Sequence, residues 1–85
     1  MPEVLQLALT IQDEIYRFQS DFPEKAIVLQ KVHFEDCSFE LRLAYYIIGK
    51  KPSMKGRWVW GQYATFMPQE DFIAIYKEAK IRGWF

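Results

Sequence analysis

Hydrophobic residues recur at intervals of three and four along the first part of the chain. They occupy one side of a helical projection: Val4, Ala8, Ile11, Ile15, Phe18 and Phe22. Such spacing is typical of an amphipathic helix. Pro23 would end that helix, because a proline disfavours helical geometry in the residue before it. The sequence therefore predicts a first helix over about residues 3–20.

The middle of the chain has the composition and alternation of β-strands. β-Branched and aromatic residues over 26–35 predict a first strand. A period of two over 39–48 is the clearest pattern in the chain and predicts a second strand. A third strand is predicted over 58–67, so the second and third strands would form an antiparallel hairpin with a long tip.

A second helix is predicted over about residues 68–82. Glu70 and Asp71 lie at its amino end, where carboxylates interact favourably with the helix dipole. Gly83 suits the left-handed residue that follows a last helical turn, and it would let Trp84 fold back on the helix.

This order of elements predicts an α+β fold of the form αβββα. A three-stranded antiparallel meander sheet would carry both helices on one face. The chain has 85 residues, of which 51% are hydrophobic, so we expect a single domain over residues 1–85 with one core.

Charge and cysteine content narrow the classes of partner. Eleven basic residues balance eleven acidic ones, so a nucleic acid or an anionic lipid would have to be held by a local patch. Cys37 is the single cysteine and cannot form an intramolecular disulfide. The first residues lack the basic segment of a signal peptide, and no apolar run is long enough to span a membrane. We expect a cytoplasmic protein with no membrane contact.

The predicted strands carry aromatic residues on both sides, and aromatics make up 18% of the chain. Three interpretations follow for the face that the helices leave uncovered. In the first, the rings are buried within the monomer by Trp84, by Phe85 or by the twist of the sheet. In the second, a protein partner or a second copy of the chain covers them. In the third, the rings stack on single-stranded bases. The basic loop over 49–57 favours stacking on nucleic-acid bases, although such a loop is also typical of a soluble hairpin tip.

We favour a small non-enzymatic interaction or regulatory module that forms a homodimer or binds a protein through the aromatic sheet surface. The alternative is nucleic-acid binding through the loop 49–57 and the neighbouring tryptophans. Catalytic and phosphate-binding motifs are lacking, so an enzyme is not favoured, and a small enzyme with a cleft at a dimer interface is a third hypothesis. His33 and Cys37 are too few ligands for a zinc site, so no metal and no cofactor are predicted. The predicted binding residues are Lys50, Lys51, Lys55, Arg57, Trp58, Trp60, Tyr46 and Tyr63.

Overall fold

The computed structural model of the protein describes residues 9–49, 55–61 and 64–85. Over these ranges the chain forms four strands and one helix. They are β1 (Leu9–Gln19), β2 (Phe22–Phe34), β3 (Phe39–Ile48), β4 (Trp58–Trp60) and α1 (Gln69–Ile81). The strands form one antiparallel sheet in the order β1-β2-β3-β4, so strands that are neighbours in sequence are also neighbours in space.

The core lies between α1 and one face of the sheet. Ile15 of β1 and Ile27 of β2 are buried with Ile75 and Ala79 of α1. Partly buried side chains complete this cluster: Leu29, Met67 and Trp84. The smallest dimension of the molecule is 18 Å, which matches one sheet and one helix. We call the face of the sheet that points away from α1 the open face.

The predicted αβββα order is wrong, because residues 9–19 form β1 and not a helix. The rest of that predicted helix, residues 3–8, lies outside the described residues. Ile11, Ile15 and Phe18 have helical spacing, yet Ile15 faces α1 and Phe18 lies on the open face. A register shift between Ile11 and Asp13 also breaks the period of two within β1. Pairing with β2 overrides the helical pattern.

The remaining strand predictions are partly correct. The strand predicted over 26–35 begins earlier, at Phe22, and the strand predicted over 39–48 is β3. The strand predicted over 58–67 is correct for Trp58–Trp60 and wrong for residues 64–67, which have no strand structure and lead into α1, while residues 62 and 63 lie outside the described residues. The prediction that two helices cover one face of the sheet is also wrong, because α1 is the only helix within the described ranges.

The C-terminal helix agrees with the sequence prediction. Gly83 has a φ of +77°, and the N–H of Trp84 donates to the carbonyl of Ala79 at 3.0 Å, so Trp84 does fold back. No helix in the described ranges is both long enough and apolar enough to cross a membrane.

Asp71 joins the first turn of α1 to the end of β1. Its side chain is fully buried and accepts hydrogen bonds from Arg17 Nε at 2.6 Å, from the Ser20 N–H at 3.0 Å and from the Ser20 hydroxyl at 2.9 Å. Burial opposes ionisation, but the hydrogen bonds from the Ser20 backbone, Arg17 and the Ser20 hydroxyl outweigh it and hold the pKa of Asp71 below its ordinary value. This carboxylate therefore fixes α1 on one face of the sheet.

Candidate functional site

Five aromatic side chains lie together on the open face. The register aligns Phe18 of β1, Tyr46 of β3 and Trp60 of β4 in one row across the sheet. Trp58 lies one row to one side, opposite Ile48, and Tyr16 lies one row to the other side. We call these five side chains the aromatic cluster: Tyr16, Phe18, Tyr46, Trp58 and Trp60.

The rings of the aromatic cluster contact one another. The centroids of Phe18 and Trp58 are 5.8 Å apart, and those of Tyr16 and Tyr46 are 6.3 Å apart. Trp60 meets Tyr46 edge to face, with centroids 5.2 Å apart and an interplanar angle of 82°. These separations are in the range that aromatic pairs prefer, so the rings hold one another in place.

The cluster encloses an apolar groove with a volume of about 310 Å³. Its walls are four of the rings, and its floor is Ala26 of β2. Ala26 is 7% exposed, whereas Phe18 is 63% and Tyr16 is 55% exposed. The floor is thus closed while the walls remain available for contact.

A polar row borders the groove and consists of Glu14, Gln30 and Arg42. The Gln30 amide donates to Glu14 at 2.7 Å and accepts from Arg42 Nε at 2.7 Å, so this buried amide is paired at both ends. The hydroxyl of Tyr16 donates to Glu14 at 2.9 Å, and burial together with this carboxylate raises the pKa of Tyr16 to about 12. Arg42 also lies over the Trp60 ring, 5.2 Å from its centroid. The polar row orients one wall of the cluster.

Three of the predicted binding residues meet on the open face, and they are Tyr46, Trp58 and Trp60. The sequence interpretation missed Tyr16 and Phe18, because it assigned them to a helix. Their signal was the alternation around Ile15 and Arg17, which reach α1 while their neighbours point to the open face.

The two predicted basic residues that the structure describes do not line the groove. Lys55 and Arg57 are exposed in the β3–β4 hairpin, where Gly49 donates its N–H to the Arg57 carbonyl at 2.8 Å. The other predicted residues lie outside the described residues: Lys50, Lys51 and Tyr63.

His33 and Cys37 belong to other environments. The His33 ring stacks on Phe39 with centroids 4.7 Å apart, and Cys37 is exposed in the β2–β3 turn. In the part of the chain that the structure describes, no three His, Cys, Asp or Glu side chains are grouped to hold a metal ion.

The open face therefore combines a closed apolar floor, exposed aromatic walls and a bordering polar row. Its aromatic groups are exposed and are held by mutual contacts. Comparison of the chain with known protein families, with curated proteins and with solved structures found no match.

Proposed function

We propose that this protein is a non-enzymatic binding module that recognises another protein through the aromatic cluster. The groove carries this proposal, because a buried floor beneath exposed aromatic walls is the form of a pocket that receives an anchoring side chain. The polar row supplies the paired polar border that such interfaces have around their apolar centre.

Covering the walls would remove a large aromatic area from water. Phe18 and Tyr16 together present roughly 200 Å² of surface that a partner would bury, since an aromatic side chain buries 150–250 Å² in full. At about 25 cal/mol per Å² this contributes about 5 kcal/mol before the cost of association. The two rings are therefore expected to act as a hot spot.

The chemistry of the groove defines the partner. Its lining is apolar, so the partner presents a large aliphatic or aromatic side chain. The guanidinium of Arg42 uses Nε for Gln30, and its remaining N–H groups suit a carboxylate beside that anchor. Glu14 already accepts hydrogen bonds from Gln30 and Tyr16, which makes it a poor neighbour for a further acid.

Nucleic-acid binding is the alternative, and the exposed Lys55 and Arg57 near Trp58 favour it. Two observations favour a protein instead. Among the described residues no cation lines the groove, and Trp60 is packed against Arg42 on one side and against Tyr46 at an angle of 82°. Stacked bases need a free, parallel ring face, which this arrangement offers poorly.

Selection of short random peptides on the immobilised protein tests the proposal. We expect selected peptides to share an aromatic or large aliphatic anchor and to lose at least tenfold in affinity for Phe18→Ser, a change of about 1.4 kcal/mol. Phe72→Ser is the matched control, because Phe72 is also half exposed but lies on α1. Circular dichroism verifies that both variants are folded.

Two results would contradict the proposal. Peptides that bind the wild type and Phe18→Ser alike would place recognition elsewhere and overturn the proposal. A labelled single-stranded oligonucleotide that binds, with affinity falling by about one logarithmic unit per phosphate contact for each tenfold rise in salt, would favour the alternative.

A further inference from the structure

The first half of β3 is an open strand edge. β4 pairs only with the last residues of β3, from Tyr46 to Ile48, and Gly61 donates its N–H to the Tyr45 carbonyl at 2.7 Å. Among the described residues no backbone hydrogen bond reaches the outer edge of β3 over residues 39–44. A cavity of about 350 Å³ separates the end of this edge from residues 64–67. As far as the described residues show, the edge is thus accessible to another strand.

The orientation of the backbone along this edge follows from its neighbours. The outward carbonyl of Tyr45 accepts from Gly61, and the N–H of Gly49 donates to Arg57, so the odd-numbered residues of β3 point their backbone groups outward. The same alternation includes Phe39, Leu41 and Leu43, which are also odd-numbered. Their N–H and C=O groups therefore face the open edge.

The two ends of the sheet differ in how they are protected. On β1, a register shift near Asp13 bends the strand, and Arg82 donates to the Glu14 carbonyl at 2.9 Å. β3 pairs with β2 from Phe39 to Ile47 with no register shift, and it contains no proline. Phe39, at 52% exposed, is part of a row of half-exposed apolar side chains on this strand that continues with Leu41 and Leu43. An apolar edge that has a regular register and no strand partner among the described residues is a site for strand addition.

We propose that two copies of this chain pair antiparallel through residues 39–43 of β3, around a two-fold axis at Leu41. The two four-stranded sheets then form one continuous sheet, with both open faces on the same side. This proposal concerns the strand edge, whereas the function proposed above concerns the groove, and Arg42 is the one residue that takes part in both.

The side chains of β3 are complementary to themselves in this register. Leu41 meets its own copy, and Phe39 meets Leu43 of the second copy, so every outward backbone group of these residues finds a partner. Glu40 lies opposite Arg42 of the second copy in the closely spaced type of antiparallel pair, where Cα atoms are about 4.5 Å apart. The pair forms twice around the two-fold axis.

The same charges exclude the neighbouring registers. A shift of two residues in one direction places Glu40 opposite Glu40, and a shift in the other direction places Arg42 opposite Arg42. Like charges directly opposite one another destabilise a strand pair. A shift of one residue would place odd-numbered residues opposite even-numbered ones, whose backbone groups point to β2, so the hydrogen bonds between the two copies could not form. The sequence of β3 therefore selects one symmetric pairing.

Sedimentation of the full chain over a range of concentrations tests the proposal. We expect a reversible dimer whose dissociation constant rises about tenfold or more in Glu40→Arg, since both ion pairs become repulsive. The control Glu70→Arg makes the same charge change on the exposed side of α1 and should leave the dimer unchanged. Mixing Glu40→Arg with Arg42→Glu should produce a heterodimer, because each attractive pair is restored across the interface.

Leu41→Pro provides a second variant that does not depend on charge. Its N–H faces outward, so proline removes a hydrogen bond of the dimer but none of the β2–β3 ladder, and we expect a folded monomer. A wild-type protein that stays monomeric at all concentrations would overturn the proposal. So would a dimer that persists in Leu41→Pro or that is lost in Phe18→Ser alone, since the latter would assign self-association to the open face.

Discussion

Arg17 and Asp71 lie 54 positions apart in the chain, and their side chains meet at 2.6 Å. Arg17 is in β1, while Asp71 is in the first turn of α1 and fully buried. This contact, with the two hydrogen-bonding groups of Ser20, decides which face of the sheet the helix covers. The aromatic cluster and its groove lie on the face that α1 does not cover.

Asp71→Asn should therefore destabilise the fold. The variant loses the charged hydrogen bond to Arg17 and turns an amide donor toward groups that are themselves donors. We expect the free energy of unfolding to fall by about 2 kcal/mol, as measured by urea denaturation. Glu70→Gln is the control, because Glu70 is exposed in the same turn and interacts with the same helix dipole. Equal losses in both variants would mean that the dipole, and not the buried contact, is what matters.

Asp71 also predicts the response of the fold to acid. Its pKa is held below the ordinary value, so its contribution to stability is fully present above about pH 4 and is lost as the pH falls through the folded value. The wild type should lose stability in this acidic range, and Asp71→Asn should lose less. Midpoints of urea denaturation measured at a series of pH values test this difference, and parallel curves for the two proteins would contradict it.

The elements that sequence reasoning predicted well are those in which local pattern and tertiary role agree. β3 alternates between apolar and charged side chains from Phe39 to Leu43, and α1 has a dipole-favoured start and Gly83 after its end. β1 was missed because its two faces are both partly apolar and its register shifts within the strand. The same error hid Phe18 and Tyr16, which form half of the groove walls. The contacts of Asp71 with Arg17 and Ser20 could not be predicted either, because these residues lie more than 50 positions away in the sequence.

Gly61→Ala should destabilise the pairing between β3 and the end of β4. A Cβ at position 61 would overlap the ring of Tyr45, so either the ring or the backbone must move. We expect a loss of about 1 to 3 kcal/mol in the free energy of unfolding, the usual cost of overpacking. Adding Tyr45→Leu should recover part of that loss, because it removes the overlapping ring. Additive effects of the two substitutions in a double-mutant cycle would contradict the contact.

Cys37→Gly should stabilise the protein. Cys37 has a φ of +71° in the β2–β3 turn, where its N–H donates to the Phe34 carbonyl at 2.9 Å. A side chain with a Cβ is strained in that region, whereas glycine is not, so we expect a gain of about 0.5 to 1 kcal/mol after the entropy cost of glycine in the unfolded chain. Ser38→Gly, in the same turn, should instead lose stability, because it removes the hydroxyl hydrogen bond to Asp36 without relieving strain. Thermal unfolding of both variants provides the comparison.

Arg82 protects the outer edge of β1, and its replacement should increase association more than it lowers stability. Its guanidinium donates to the Glu14 carbonyl at 2.9 Å and pairs with Asp13 at 3.2 Å and Glu78 at 2.8 Å. The two ion pairs are exposed, so their loss should change the unfolding free energy little. The uncovered carbonyl lies on a strand edge, where a second chain can add.

We therefore expect Arg82→Met to aggregate faster than the wild type on prolonged incubation, as followed by light scattering. Lys80→Met is the matched control, because Lys80 is exposed in the last turn of the same helix and its replacement removes the same charge. Faster aggregation of both variants would trace the effect to lost charge. Faster aggregation of Arg82→Met alone would trace it to the edge of β1, and this association should persist when Leu41→Pro is added, because β3 lies at a different edge of the described sheet.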